Sequence, residues 1–304
     1  MDALIQSLVQ ANFAPERIAP QASMAQYTTL RIGGPAEVMV NIHSADEIAV
    51  ALRAAKQADA PVTIIGNGSN LLVRDGGIRG LVLRISGGLN AIRREGDCLL
   101  VQAGASLAAV AAFARDEGLS GMAELGGIPG TVGGGVLMNA GAYGAELAQL
   151  VTQAEGVSLS DGRRVIYPAD RLDFAYRHSA LMDAGVIITQ ATLALTPGDP
   201  EAIRARMEEC AKARRDKQPL TLPSAGSTFK RPEGHFAAKL IDDCGLRGLT
   251  VGGAQVSEKH AGFIVNIGGA TARDMLELMR QVEQRVFEQT GVQLEPEIRI
   301  LGED

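Results

Sequence analysis

The chain has 304 residues, more than the roughly 100–200 of a single domain, so two or three domains are expected. Hydrophobic residues make up 46% and charged residues 21%, which excludes an intrinsically disordered chain. Lys+Arg 29 against Asp+Glu 35 leaves a formal charge of −6. With no Trp, four Tyr and seven Phe, the chain has neither the basic field nor the stacking rings of a general nucleic-acid binder.

The opening MDALIQSLVQANF lacks a basic region followed by an apolar core and does not read as a secretory leader. Ser44-Ala-Asp-Glu47 is a capping box opening a helix to about 59, with Ile48, Ala51, Leu52 and Ala55 on one face. Pro61 leads into a strand over Val62–Ile65. From about 71 to 196 short β-rich runs follow, at 71–73, 81–85, 99–103, 154–159, 164–167 and 186–195. Asp161-Gly162 marks a hairpin turn between two of them. A helix over 107–117 interrupts these runs, with Ser106 as N-cap and Gly118 as stop. The run 196–200, Thr-Pro-Gly-Asp-Pro, is the best linker candidate. Beyond it come helices at 201–217 and 236–244 and strands around 251–256 and 263–267. A last helix capped by Thr271 and ended by Gly291 precedes a closing strand over 297–301. These elements predict an α+β chain.

Cys98, Cys210 and Cys244 are scattered, a poor disulfide framework and a poor zinc site, which fits a reducing compartment. The four His (43, 178, 235 and 260) have no metal spacing, so no metal is expected. The uncharged run 125–145 is long enough to span a bilayer, but eight of its 21 residues are Gly, which makes it a glycine loop. A cytoplasmic protein without membrane or nucleic-acid partners is the expectation.

Thirty-six glycines among 304 residues is well above the average of about 7%. They cluster where backbone must turn tightly or approach a ligand. The first cluster, Gly66-Asn67-Gly68-Ser69-Asn70, follows the 62–65 strand, and its N–H groups and side chains are suited to a phosphate. It is not the dinucleotide fingerprint, because Leu71 stands where the third Gly belongs and no helix follows. The second runs Gly126-Gly127-Ile128-Pro129-Gly130-Thr131-Val132-Gly133-Gly134-Gly135 and continues to Asn139-Ala140-Gly141-Ala142-Tyr143-Gly144. Its glycines let backbone N–H groups face a diphosphate. With Thr29-Leu30-Arg31-Ile32-Gly33-Gly34 upstream, the two loops suggest one extended dinucleotide held by loops. Three polar residues remain open on their own. Arg177 suits either a carboxylate fork or a surface ion pair. Ser227, outside any Gly-x-Ser-x-Gly elbow, suits a turn as well as chemistry, and Glu297 an exposed edge as well as a site.

Taken in order, TLRIGGPAE, GNGSNLLV, GIPGTVGGGVLMNAGAYG, YRHS, RRDKQP, SAGSTFKRP, AQVSEKHAGFIVN and LEPEIRI resemble the UDP-N-acetylenolpyruvoylglucosamine reductases (UDP-N-acetylmuramate dehydrogenases). The resemblance runs from Thr29 to Ile300. It implies a two-part FAD-binding module of the vanillyl-alcohol oxidase type, over 1–70 and 71–196, and a C-terminal α/β substrate domain over 197–304. It implies noncovalent FAD, NADPH as hydride donor and UDP-N-acetylglucosamine enolpyruvate as substrate. The expected setting is peptidoglycan synthesis, hence cell wall biogenesis, cell shape, division and the cell cycle, in a monomeric protein. Carried over by motif, Ser227 is the proton donor, and Arg177 and Glu297 act at the enolpyruvyl carboxylate. Tyr143, Lys217 and Arg299 bind substrate. Arg31, Gly33, residues 66–70, residues 126–130, Gly133, Gly134, Asn139, Ala140 and Gly141 bind the cofactor. The chain resembles the short form of the family, since no Tyr-bearing insertion lies between Ser179 and Thr196. Arg231 follows Lys230 where longer members carry Asn. Two rival readings are another FAD-linked oxidase, separated by rapid turnover with O₂, and a non-catalytic nucleotide-binding module, separated by NADPH-dependent turnover.

Overall fold

Apolar residues at strand and helix spacing sort into two separate cores, and with them the chain divides into two compact units. The computed structural model describes all residues, Met1–Asp304. The first unit comprises Met1–Pro20, Val38–Asn67 and Gly80–Arg214; the second comprises Gln21–Glu37, Gly68–Arg79 and Arg215–Asp304.

In the first unit, strands Val62–Ile65 and Ile78–Arg84 pair in parallel, with Val62 opposite Leu81 and Ile65 opposite Arg84. The helix Ala45–Gln57 begins where the sequence predicts, Ser44 Oγ accepting the Glu47 N–H at 3.2 Å. Only half of the expected capping box forms. The Glu47 carboxylate takes the His43 N–H and the Arg17 guanidinium, at 2.8 and 2.7 Å, and not the Ser44 N–H. Ile48, Ala51, Ala54 and Ala55 are buried, while Leu52 is half-buried.

A five-stranded antiparallel sheet also belongs to this unit, in the order Arg164–Pro168, Val151–Ser158, Val186–Ala194, Cys98–Gln102, Ile92–Glu95. The predicted hairpin at Asp161-Gly162 is present, with Gly162 at φ +71° and the Ser158 N–H bonded to Arg163 O. Ile92–Glu95 is a charged edge strand without apolar alternation, so the sequence pattern misses it. The helix Leu107–Asp116 is capped by Ser106 Oγ, which accepts the Ala109 N–H at 3.1 Å. Leu99, Val101, Leu107, Val110, Val132, Val136, Ala191 and Leu193 are among the fully packed residues of the core.

The second unit is built around the helix Ala272–Thr290, whose Met275, Leu278, Met279, Val282 and Val286 are buried. Thr271 and Asp274 form a reciprocal capping box, and Gly291 ends the helix at φ +71°. Asp75 adds a second carboxylate, accepting the Ala272 and Arg273 N–H groups at 2.9 and 3.0 Å. Strand Leu71–Val73 runs parallel to Arg299–Leu301, with Leu72 opposite Ile300. That pairing draws an early segment into a mostly C-terminal unit, where Leu30, Ile32 and Leu72 share the core. The units therefore do not follow the chain-order partition at 70 and 196. Nor does the 196–200 run act as a spacer: Thr196 and Pro197 pair with Ser120 and Leu119, the helix Pro200–Lys217 begins at once, and the first unit continues to Arg214.

No helix is long and apolar enough to cross a membrane.

Candidate active site

Strand ends and glycine turns of the first unit converge at one place. Ile65 ends its strand at Gly66, whose carbonyl accepts the Ser86 hydroxyl at 3.1 Å. A Cβ at Gly66 would lie 2.6 Å from Thr131 Oγ1, so the two glycine loops touch and leave no room for a side chain between them. Thr131 caps a short helix, Val132–Leu137, that low helix propensity hides from the sequence because three of its six residues are glycine. Packing explains two of these. A Cβ at Gly133 would meet Ala103 Cβ at 2.9 Å, and one at Gly135 would meet Leu147 Cδ1 at 2.8 Å.

The expectation that this run turns its N–H groups to a diphosphate needs revision. Val132 and Gly133 donate to Ala105 O and Ala103 O, both at 2.8 Å. Gly134 and Gly135 donate to Thr131 Oγ1 and Thr131 O, at 3.4 and 2.8 Å. These four donors are spent inside the protein. What the loop offers instead is bare backbone: Gly127 and Gly134 are exposed, and a Cβ at Gly134 would meet only Thr131 Oγ1, at an ordinary 3.5 Å. Such a side-chain-free surface, with Gly66 packed on Thr131 beside it, fits the close approach of a large dinucleotide such as FAD.

The remaining loop residues have local roles. Gly126 packs on Ala111, where a Cβ would come to 2.7 Å, and its N–H donates to Met122 O. Ile128 N–H bonds Leu125 O, Pro129 is exposed, and Gly130 O accepts the Leu107 N–H. Ala140 N–H closes onto Gly135 O, and Gly141 pairs with Glu146. Tyr143 and Gly144, at φ +53° and +86°, form the tip of a two-residue hairpin. Two positive φ values are what such a turn demands, and Tyr is an uncommon residue to meet it.

Arg214, which the motif assignment passed over in favour of Lys217, lies half-buried beside Gly127, its Nη1 3.1 Å from where a Gly127 Cβ would be. Burial pushes its pKa down, opposed by Tyr143, and burial raises that of Tyr143. The signal was present in RRDKQP, but an arginine beside a glycine far away in sequence has no local signature.

Arg177 sits second in a two-residue turn closed by mutual Ala175–His178 hydrogen bonds of 3.2 and 3.1 Å. Its backbone is left-handed at φ +55°, and its guanidinium stacks over the Tyr176 ring with Cζ 5.0 Å from the centroid. Left-handed backbone at a residue with a side chain is unfavourable and persists only where the surrounding structure holds it.

The second unit brings Ser227 and Glu297 to neighbouring strands of backbone. Thr228 N–H bonds Gly262 O at 2.9 Å, and Thr228 O accepts the Glu297 N–H at 2.8 Å. On either side, Phe229 bridges Pro296, and Lys230 N–H bonds Glu295 O. Asn70 Nδ2 donates to Glu297 O at 3.1 Å, and Asn70 O accepts the Arg299 N–H at 2.9 Å. Gly68, buried at φ +63°, is packed on Tyr27 O, and its own carbonyl accepts the Thr29 N–H. Ser69 is half-buried beside it, as is Asn67 at the end of the first unit. Gly33 owes its identity to packing, since a Cβ would lie 2.9 Å from Val73 Cβ. Arg31 is exposed in a left-handed turn at φ +54°, and Lys217 ends its helix exposed.

Comparison with known proteins matches the chain to two domains. Residues 36–166 match the FAD binding domain, and residues 218–301 match the C-terminal domain of UDP-N-acetylenolpyruvoylglucosamine reductase. The UDP-N-acetylenolpyruvoylglucosamine reductase of Pediococcus pentosaceus is 46% identical over 98% of this chain and 99% of its own. That of Agathobacter rectalis is 49% identical over 92% of each. The crystal structure of the Thermus caldophilus reductase superposes with a TM-score of 0.79 at 39% identity, covering 91% of this chain and 97% of that one. An FAD-binding domain joined to this C-terminal domain, matched along nearly the whole length, makes the chain an FAD-dependent oxidoreductase that belongs to the UDP-N-acetylenolpyruvoylglucosamine reductase family.

Proposed function

We propose that this enzyme reduces UDP-N-acetylglucosamine enolpyruvate to UDP-N-acetylmuramate with NADPH, as a cytoplasmic monomer making a peptidoglycan precursor on which cell shape and division depend. The single observation that carries the reading is the similarity to reductases of that name, 46% identical over 98% of this chain. Segments 1–70 and 71–196 supply the FAD-binding residues, and 197–304 most of the substrate-binding ones. Gly66, Gly127, Gly130 and Gly134 give the cofactor bare backbone; Asn67, Ser69 and Asn70 give it polar groups.

When bound, FAD supplies hydride transfer, and NADPH replenishes it. Hydride addition at one carbon of the enolpyruvyl double bond leaves negative charge on the other, delocalised into the carboxylate. Arg177 offers two parallel N–H donors to that carboxylate, and Glu297 acts at the same group as an acid, so charge developing toward the enediolate is stabilised. Ser227 Oγ–H delivers the proton that completes the second C–H bond and is reprotonated from solvent. Lys217, Tyr143 and Arg299 bind the substrate. The test is NADPH oxidation by the purified, FAD-loaded protein. Turnover that depends on the enolpyruvyl nucleotide, with a lactyl ether as product, is expected. NADPH consumption indifferent to that nucleotide and driven by O₂ would contradict it.

A further inference from the structure

The base of the turn that carries Arg177 is bonded by the buried side chain of Asn139. Asn139 is 2% exposed; its Nδ2 donates to Ala175 O at 3.2 Å, and its Oδ1 accepts the Ala148 N–H at 2.9 Å. Both ends of the amide are engaged inside the protein. Ala175 O thus receives the His178 N–H within the turn and Asn139 from outside it. A second strap lies close by: Ser179, fully buried, donates from Oγ to Leu137 O at 2.8 Å. Leu137 ends the short helix capped by Thr131, the residue that touches Gly66, so the glycine loop and the Arg177 turn share one frame.

We infer that Asn139 is a positioning residue that holds the Arg177 turn in its working geometry, and not a ligand of the cofactor. The inference rests on the reading that Arg177 meets the substrate carboxylate. Its physical basis is twofold. Arg177 keeps an unfavourable left-handed backbone only if its surroundings over-determine it, and the Asn139 bond to Ala175 O fixes the turn's base. Asn139 is itself left-handed at φ +43°, a conformation Asn tolerates, so it can follow the helix end and still aim its amide at the turn. A guanidinium fork works only in register with both carboxylate oxygens, and misplacement by about 1 Å costs on the order of 100-fold in rate.

Two variants separate this role from others in the FAD-loaded enzyme. Asn139→Asp keeps the shape and the acceptor for Ala148 but sets an oxygen against Ala175 O. Asn139→Gly keeps the positive φ and removes both arms. Hydrogen–deuterium exchange should quicken across 172–180 by at least ~10-fold in both, with the 151–158 strand unchanged. Both should retain the flavin spectrum and normal bleaching by NADPH, while reoxidation by the enolpyruvyl nucleotide slows ~10–100-fold. Adding Arg177→Lys should cost little more than either change alone. Unchanged exchange at 172–180 overturns the inference, as does loss of FAD with that exchange intact. If Arg177→Lys leaves reoxidation untouched, the functional reading of Arg177 fails, and the exchange result still decides whether Asn139 holds the turn.

Discussion

Ser227 precedes Thr228, whose N–H bonds Gly262 O and whose carbonyl accepts the Glu297 N–H. A serine hydroxyl is a weak acid, so it protonates only a strongly basic centre, such as the enediolate that hydride addition leaves. Ser227→Ala should therefore slow reoxidation of the reduced flavin by the enolpyruvyl nucleotide by roughly 10²–10⁴-fold while NADPH bleaches the flavin at a near-normal rate. Ser227→Cys, which retains a transferable proton, should recover part of the loss. A turn residue would instead cost about 1 kcal/mol of stability and leave both half-reactions intact. Arg177→Lys loses the planar two-donor fork and should impair only the half-reaction with the nucleotide; equal damage to both halves would count against it. At this scale the sequence was informative about residue types and silent about neighbours. YRHS and GSTFK name the residues, but nothing local in either tells that Thr228 lies against Glu297 or that Asn139 braces Ala175.

At the scale of elements, caps were legible because their signal is local: Ser44, Ser106 and Thr271 each accept the N–H three residues on. Elements decided by distant packing were not. The helix Val132–Leu137 exists because Thr131 caps it and Gly133 and Gly135 let it lie against Ala103 and Leu147, so propensity alone reads a loop. The contact between the glycine loops gives a sharp prediction. Gly66→Ala drives a methyl group to 2.6 Å from Thr131 Oγ1, so one loop must move, and FAD occupancy, read from the ratio of flavin to protein absorbance, should fall. Gly130→Asp adds a side chain and a negative charge to the same loop and should also lose FAD. A folded variant with full occupancy would remove that loop from the site.

The Arg17–Glu47 pair shows how an element start is coupled to pH. The Arg17 guanidinium, and the His43 N–H with it, holds the Glu47 carboxyl below its ordinary value despite partial burial. Because the folded-state pKa is the lower one, this stabilisation is complete above the unfolded value of 4.5 and is lost as pH falls through the folded value. Glu47→Gln should cost about 1–2 kcal/mol at neutral pH, read from denaturant midpoints, and should make the acid-side loss of stability shallower.

For the whole molecule, chain order misled where topology intervened. The composition predicts more than one domain, and two units are present, but the second gathers 21–37 and 68–79 around a C-terminal helix. The cause is a parallel pairing of Leu71–Val73 with Arg299–Leu301 and a cap from Asp75 to Ala272 and Arg273. Neither leaves a periodic trace, since each joins positions some two hundred residues apart. The function was legible for a different reason: the order of several motifs along the chain is far more specific than any one of them. In the proposed reaction this chain passes reducing equivalents from NADPH through FAD to the enolpyruvyl nucleotide. An anaerobic titration tests it most directly. One equivalent of NADPH should bleach the flavin of the purified protein, and one equivalent of UDP-N-acetylglucosamine enolpyruvate should restore it without oxygen. A flavin that NADPH leaves oxidised, or that only O₂ restores, would contradict the account.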